Sequence, residues 1–90
     1  MAYAENRILA QMDTAGDVVT NMDVSVLQVV ATGATPAATL RDEHDNDVVI
    51  TLNADGDVYT VPVHARYKYL ELQATTNAVV LLWHAARGDR

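Results

Sequence analysis

The fold is decided by residues Asp47–Val63, which read DVVITLNADGDVYTVPV. Two runs rich in β-branched residues flank Asn53–Gly56, and that tetrapeptide is typical of a type I turn that closes on a glycine with positive φ. We therefore predict a β-hairpin over Asp47–Val63. Pro62 lies in its second arm and has no N–H to donate to a neighbour, which predicts that this arm is an edge strand or that the outward N–H at this position is not needed.

The rest of the chain has the composition of strands. Its 90 residues include 13 valines, 9 threonines and 2 isoleucines, and β-branched residues favour the pleated surface of a sheet. Groups of Gly, Pro, Asn and Asp interrupt the chain at short, fairly even intervals, one of them at Asn21–Asp23. This spacing predicts an all-β domain, a small antiparallel β-sandwich or jelly roll of about seven to eight strands with an N-terminal arm.

The sequence divides into three parts. Residues 1–22 are predicted to form an N-terminal arm or the first strands, residues 23–86 the β-sandwich domain, and residues 87–90 a C-terminal tail. Within the first part, the alternation of Asn6–Met12 favours a strand or an extended arm over a single helical turn. The Arg-Gly-Asp triplet at residues 87–89 is interpreted as part of the tail, because a three-residue match often occurs by chance.

Charge and composition disfavour several classes of function. A formal charge of −6 with a single lysine argues against nucleic-acid binding. No apolar run is long enough to span a bilayer, and the N-terminus lacks a basic region followed by an apolar one, so we expect synthesis and initial retention in a cytoplasm. With 14 alanines, no phenylalanine and no cysteine, the chain predicts one thin core without disulfides, which favours association with a partner.

Two predicted strands are apolar on both faces. In Asp23–Thr32, Val24, Val26 and Val30 share one face and Leu27, Val29 and Ala31 the other; Asn77–Ala85 likewise has Val79, Leu81 and Trp83 opposite Val80, Leu82 and His84. A chain of this length has no third layer to cover the second faces, so we expect another copy or another protein to do so, unless a closed barrel or a folded arm covers them internally. The residues predicted to form this interface are Val24, Val26, Leu27, Val29, Tyr67, Tyr69, Val80, Leu82 and Trp83.

The two tyrosines belong to this interface on the basis of strand alternation. In Arg66–Ala74, Leu70 and Leu72 are expected to face inward, which leaves Tyr67 and Tyr69 facing outward. Outward tyrosines suit a subunit interface or a stacking surface for a sugar, although packing in the core or across strands explains them equally well.

The residues that could support chemistry point to no enzyme. The acidic segment Asp42–Asp47 could bind Ca²⁺ but lacks the pattern of an EF-hand, and Asp and Asn are common in solvated turns without metal. His44, His64 and His84 show no metal-ligand spacing, and Ser25, the only serine, has no glycine elbow around it. We predict no catalytic residue, no metal site and no cofactor.

The order of strands and acidic turns resembles a known class. Residues 24–85, through the segments Ala37–Asp42, Val48–Leu52, Tyr69–Ala74 and Val79–Trp83, are similar to small β-sandwich virion proteins of tailed bacteriophages that decorate or cement the capsid or build short head appendages. The resemblance implies a non-enzymatic virion protein, made in the host cytoplasm, that forms a trimer or another homo-oligomer and binds the major capsid protein or another virion protein. It transfers no functional residue, and the N-terminal arm would grip neighbouring subunits.

Two alternatives to this function remain open. One is a carbohydrate- or receptor-binding module that stacks ligands on Tyr67, Tyr69 and Trp83 and uses Ca²⁺ at the acidic turns. The other is a subunit of a bacterial complex with no connection to a phage.

Overall fold

A computed structural model describes residues 6–85, and within them the protein is all-β, as predicted. Six strands form one antiparallel sheet in the order β1-β6-β2-β5-β3-β4. The strands are β1 (Asn6–Met12), β2 (Val18–Ala31), β3 (Ala37–Asp42), β4 (Asp47–Thr51), β5 (Val58–Thr76) and β6 (Ala78–Ala85). The first five residues of the predicted arm and the predicted tail at residues 87–90 lie outside the described residues.

β5 organises the sheet because it pairs with different partners along its 19 residues. Its first half, from Val58, pairs only with the second half of β2. Residues 66–71 pair with the first half of β2, and residues 70–76 pair with β3, so Leu70 and Glu71 have ladder partners on both sides. The sheet curls, so that the first half of β5 comes to face β3 and β4 across the core.

The strand count differs from the prediction because two strands are longer than expected. The predicted turn at Asn21–Asp23 is wrong: Asn21 adopts a φ of 51° within β2, and pairing with β5 continues on both sides of it. In β5 the two predicted strands are continuous through a bulge, where Val63 and His64 together oppose Ser25. His64 has a φ of 44°. Residues with positive φ can bend a strand without ending its hydrogen-bond ladder.

The predicted hairpin over Asp47–Val63 is also wrong. β4 pairs with β3, and within residues 6–85 no ladder joins it to β5. Gly56 has the expected positive φ of 89°, but the turn lies one residue later than predicted, because the Asp57 N–H donates to the Ala54 carbonyl at 3.1 Å and closes the turn over Ala54–Asp57. Its glycine bulge is completed by β2, since the Gly56 N–H donates to the Ala31 carbonyl at 3.2 Å and the Ala31 N–H donates to the Asp57 carbonyl at 2.8 Å. The two strands that flank this turn therefore pair with different strands, β4 with β3 and β5 with β2.

The core lies on the inner side of the curled sheet. The inward-facing residues of β2 change at Ser25, opposite the bulge. Val24 therefore lies in the core with Leu27 and Val29 and does not share a face with Val26 and Val30. The sequence had predicted the opposite grouping for Val24. The buried core comprises Met12, Val24, Leu27, Val29, Ala38, Leu40, Ile50, Leu70, Leu72, Ala78, Val80 and Leu82.

The N-terminal segment is part of the sheet. β1 pairs with β6 in a register that sets Met12 opposite Val80, and the Met12 side chain is buried. The predicted domain boundary between residues 22 and 23 falls inside β2. Residues 6–85 contain no helix long and apolar enough to cross a membrane.

Candidate interaction surfaces

Five of the nine predicted interface residues belong to the core of the chain itself. Their side chains are between 0 and 5% exposed, so the prediction that a partner covers them is wrong for these five. The reason is that the curled sheet covers one face of β2 and one face of β6 internally. The five are Val24, Leu27, Val29, Val80 and Leu82.

The second apolar face of β2 and β6 points away from the core. In the ladder between these strands Val26 lies opposite Trp83, and Val30 lies opposite Val79. All four side chains are partly exposed. We call this surface the outer face and define it as Val26, Val30, Val79, Leu81 and Trp83.

A short chain of hydrogen bonds crosses the outer face. The indole Nε1 of Trp83 donates to Oε1 of Gln28 at 3.1 Å, and Nε2 of Gln28 donates to Oγ1 of Thr60 at 3.1 Å. These contacts link β6, β2 and β5 and hold the one tryptophan in a fixed position. Sequence reasoning missed Gln28, although a single amide in the middle of an apolar strand was a signal for it.

The two tyrosines do not form a joint outward surface. Tyr67 packs against the core, where burial raises its pKa and the nearby Asp42 and Glu43 carboxylates raise it further. The predicted outward orientation of Tyr67 is therefore wrong, because strand alternation breaks between Tyr67 and Leu70. Tyr69 donates its hydroxyl to Oε1 of Glu71 at 2.7 Å, and this bond raises the pKa of Tyr69.

The three aromatic residues of the sugar-binding alternative are spread over the molecule. Tyr69 lies opposite Thr20, whereas Trp83 lies opposite Val26, six positions further along β2. At the rise of a β-strand this separation is roughly 20 Å along the strand. Tyr67 faces the core side. They do not make one stacking platform.

The acidic turn between β3 and β4 is held by its own carboxylates. Oδ1 of Asp42 accepts the backbone N–H groups of His44 at 2.9 Å and Asn46 at 3.0 Å, and the Asn46 N–H is the main cause of the lowered pKa of Asp42. Arg41 donates to both carboxylate oxygens of Asp47, at 2.6 and 3.0 Å, and thereby lowers the pKa of Asp47. Across residues 6–85 no group of three or more metal-ligating side chains is placed to hold an ion.

Glu43 lies beside β5 next to this turn. Its own N–H and those of Lys68 and Tyr69 lower the pKa of Glu43. Its Oε1 is buried and has no hydrogen-bond partner among the described residues. The carboxylate thus places a negative charge beside the point where the ladder between β5 and β3 begins.

An apolar cleft opens at one side of the molecule, where β4 and the first half of β5 face each other across the core. We call it the side cleft; its volume is about 230 Å³. Tyr67 lies in it, and two polar side chains, Asp42 and Asn46, also line it. Its other lining residues are Leu27, Leu40, Val48, Ile50, Tyr59, Val61, Val63 and Leu70.

A shallow depression surrounds the bulge of β5. His64, His84 and Ser25 line it together with Asp23 and Arg66. Arg66 donates to Asp23 at 3.0 Å in an exposed ion pair. In the part of the chain that the structure describes, Ser25 makes no hydrogen bond to either histidine, so the arrangement lacks the nucleophile–base contact of a hydrolase.

Comparisons with known proteins identified no relative of this chain. No protein-family model, curated protein or solved structure matches the chain.

Proposed function

We propose that this chain is a non-enzymatic structural protein that associates with copies of itself through the outer face. On the resemblance stated above, we assign it to the virion of a tailed bacteriophage as a capsid decoration or cement subunit. Its partners are then itself and the major capsid protein or another virion protein. Synthesis takes place in the host cytoplasm.

The outer face supports this proposal. Its five apolar side chains are contiguous across β2 and β6, and contiguous apolar patches on water-soluble proteins commonly mark interaction sites. The hydrogen bonds of Trp83 and Gln28 fix the centre of the patch, which lowers the entropy lost on docking. A large aromatic side chain held in this way is the usual anchor of an interface.

The architecture proposed for this function is a small β-sandwich. The curled sheet has two parts that face each other. One part consists of β1, β6, the second half of β2 and the first half of β5, and the other consists of the first half of β2, the second half of β5, β3 and β4. Two such layers, each with one inner apolar face, are typical of sandwiches. The formal charge of −6 keeps the remaining surface soluble.

Sedimentation of purified protein tests the association. We expect the wild type to sediment as a discrete oligomer and Leu81→Lys to sediment as a folded monomer, because the substitution places a charge in the outer face. Val18→Lys is the matched control, since Val18 is 43% exposed and lies in the first half of β2, away from that face. A monomeric wild type, or equal effects of the two substitutions, would overturn the proposed association.

Mass spectrometry of purified particles tests the virion assignment separately. Particles from the phage that encodes this chain should contain it in many copies, and the protein should be lost from particles assembled with Leu81→Lys if association is needed for binding. Its absence from wild-type particles would refute the virion role while leaving the association intact.

A further inference from the structure

Two strand edges that border the side cleft have no ladder partner among residues 6–85. β4 is the last strand of the sheet, and the first half of β5 pairs on one side only. Exposed apolar side chains concentrate at these edges: Val48, Val49 and Val58 are 52, 64 and 52% exposed, and Tyr59 is 41% exposed. An exposed apolar edge strand is a template for another strand.

The edge of β5 is poorly suited to accept a strand. The Ala31 N–H donates to the Asp57 carbonyl, so alternation along the ladder directs the backbone groups of Val58, Thr60 and Pro62 away from β2. Pro62 therefore places a residue without an N–H at the free edge, where the sequence had predicted an edge strand. Proline at such a position blocks continued pairing.

The edge of β4 has no such block. The Asp42 N–H donates to the Asn46 carbonyl, and the Leu52 N–H donates to the Pro36 carbonyl. These two bonds fix the alternation, so that Val48 and Ile50 bond to β3 while Asp47, Val49 and Thr51 direct both N–H and C=O outward. Only an extended polypeptide backbone offers donors and acceptors at the matching spacing.

The space next to β4 accommodates apolar side chains. Val48 and Ile50 line the side cleft, so the inward side chains of an added strand would enter it. A cavity of about 150 Å³ holds a benzene molecule, and 230 Å³ therefore has room for roughly one or two aliphatic side chains.

Charge decides which polypeptide fits. Asp42, Glu43 and Asp45 lie at the beginning of β4, and Asp55 and Asp57 follow its end. If two copies paired antiparallel through β4, the acidic turn of each would meet the acidic turn at the other end of its partner. Like charges at both ends disfavour that pairing, whereas a segment with basic ends is attracted.

We propose that β4 is a docking strand for an extended segment of a different protein, apolar at alternate positions and basic at its ends, whose inward side chains fill the side cleft. This site is separate from the outer face. It does not depend on the self-association proposed above, so a monomeric protein that binds such a segment would refute that association and not this site.

Synthetic peptides test the proposal by NMR titration of the isotope-labelled protein. The probe is KTVTVTK, with ETVTVTE as the charge control and KTVTPTK as the backbone control. We expect saturable amide shifts at Asp47, Val49 and Thr51 below about 1 mM KTVTVTK. Affinity should fall about two- to fivefold or more for the acidic peptide, and binding should be lost with the proline peptide.

Variants of β4 separate side-chain from backbone contacts. Val48→Lys should abolish binding because it charges the mouth of the cleft, and Val49→Pro should abolish it because it removes an outward N–H that β3 does not use. Val18→Lys is the control and should bind within about twofold of wild type, because Val18 is exposed on β2, which is not a neighbour of β4 in the sheet. The dispersion of the amide spectrum verifies that each variant is folded.

Three results would overturn the proposal. The first is no saturable shift with wild-type protein, which needs no variant to fold. The second is equal affinity for the basic and acidic peptides, or shifts centred on Val79 and Leu81 of the outer face. The third is concentration-dependent shifts at Val49 without peptide, since these would identify a second copy as the occupant of β4.

Discussion

Replacement of Leu82 by alanine should be among the most damaging single truncations in the protein. Leu82 is completely buried, whereas its neighbour Leu81 belongs to the outer face. Removing a buried leucine side chain costs about 2–5 kcal/mol, from lost burial and from the cavity left behind. A domain of 90 residues has a free energy of unfolding of roughly 5–13 kcal/mol, so Leu82→Ala removes a large fraction of it.

Urea unfolding followed by tryptophan fluorescence and circular dichroism measures this loss. Trp83 is the only tryptophan and lies in β6, so its emission reports on the strand that is perturbed. A loss of about 3 kcal/mol lowers the melting temperature by roughly 12–24 °C in a domain of this size. Leu81→Ala should cost about 1 kcal/mol or less in dilute solution.

Protein concentration distinguishes the two positions further. If copies associate through the outer face, wild-type stability rises with concentration. Leu82→Ala keeps that dependence and Leu81→Ala reduces it. A loss below about 1 kcal/mol in Leu82→Ala, or a larger loss in Leu81→Ala at every concentration, would refute the assignment of inward and outward faces of β6.

Two further predictions concern a chain corner and the acidic turn. Gly33→Ala should lower the free energy of unfolding by about 1–2 kcal/mol in the same assay, because a Cβ at this position would lie 2.8 Å from Cγ of Asn77. The Asn77 side chain is held in place by its hydrogen bond to the Ala34 carbonyl. An unchanged urea midpoint would show that this corner can move. The folded-state pKa values of Asp42 and Asp47 are lowered, so their contribution is present above their ordinary pKa of 3.8 and disappears as pH falls below it. Urea midpoints between pH 2 and 7 should show this acid loss in the wild type and a smaller one in Asp42→Asn, and identical profiles would contradict the role of the turn.

The class of the fold could be predicted from the sequence, and the pairing of the strands could not. The abundance of β-branched residues and the need for glycine where φ is positive reflect local preferences, and the all-β class and the conformation of Gly56 were predicted correctly. Whether β4 pairs with β5 or with β3 depends on contacts across the whole chain. The pattern within Asp47–Val63 is compatible with either partner, so the hairpin prediction failed.

Inward and outward faces could be predicted only where strands are regular. In β6 strict alternation separates Leu82 from Leu81, as the sequence indicated. Asn21 and His64 have positive φ, and the inward face changes on the strand opposite each of them: in β5 between Tyr67 and Leu70, across the ladder from Asn21, and in β2 between Val24 and Leu27, across the ladder from His64. The residues at these breaks, Lys68 and Tyr69 in β5 and Ser25 and Val26 in β2, carry no turn signal, which is why Tyr67 and Val24 were assigned to the wrong side.

The position of β6 between β1 and β2 has a consequence for the kinetics of folding. Val26 pairs with Trp83 and Met12 with Val80, so the central ladders close only when segments far apart in the chain meet. Proteins dominated by such pairings fold in milliseconds to seconds, more slowly than those with local contacts. Until β6 docks, one edge of β2 has no partner strand, and an unpaired apolar edge favours aggregation of the unfolded chain.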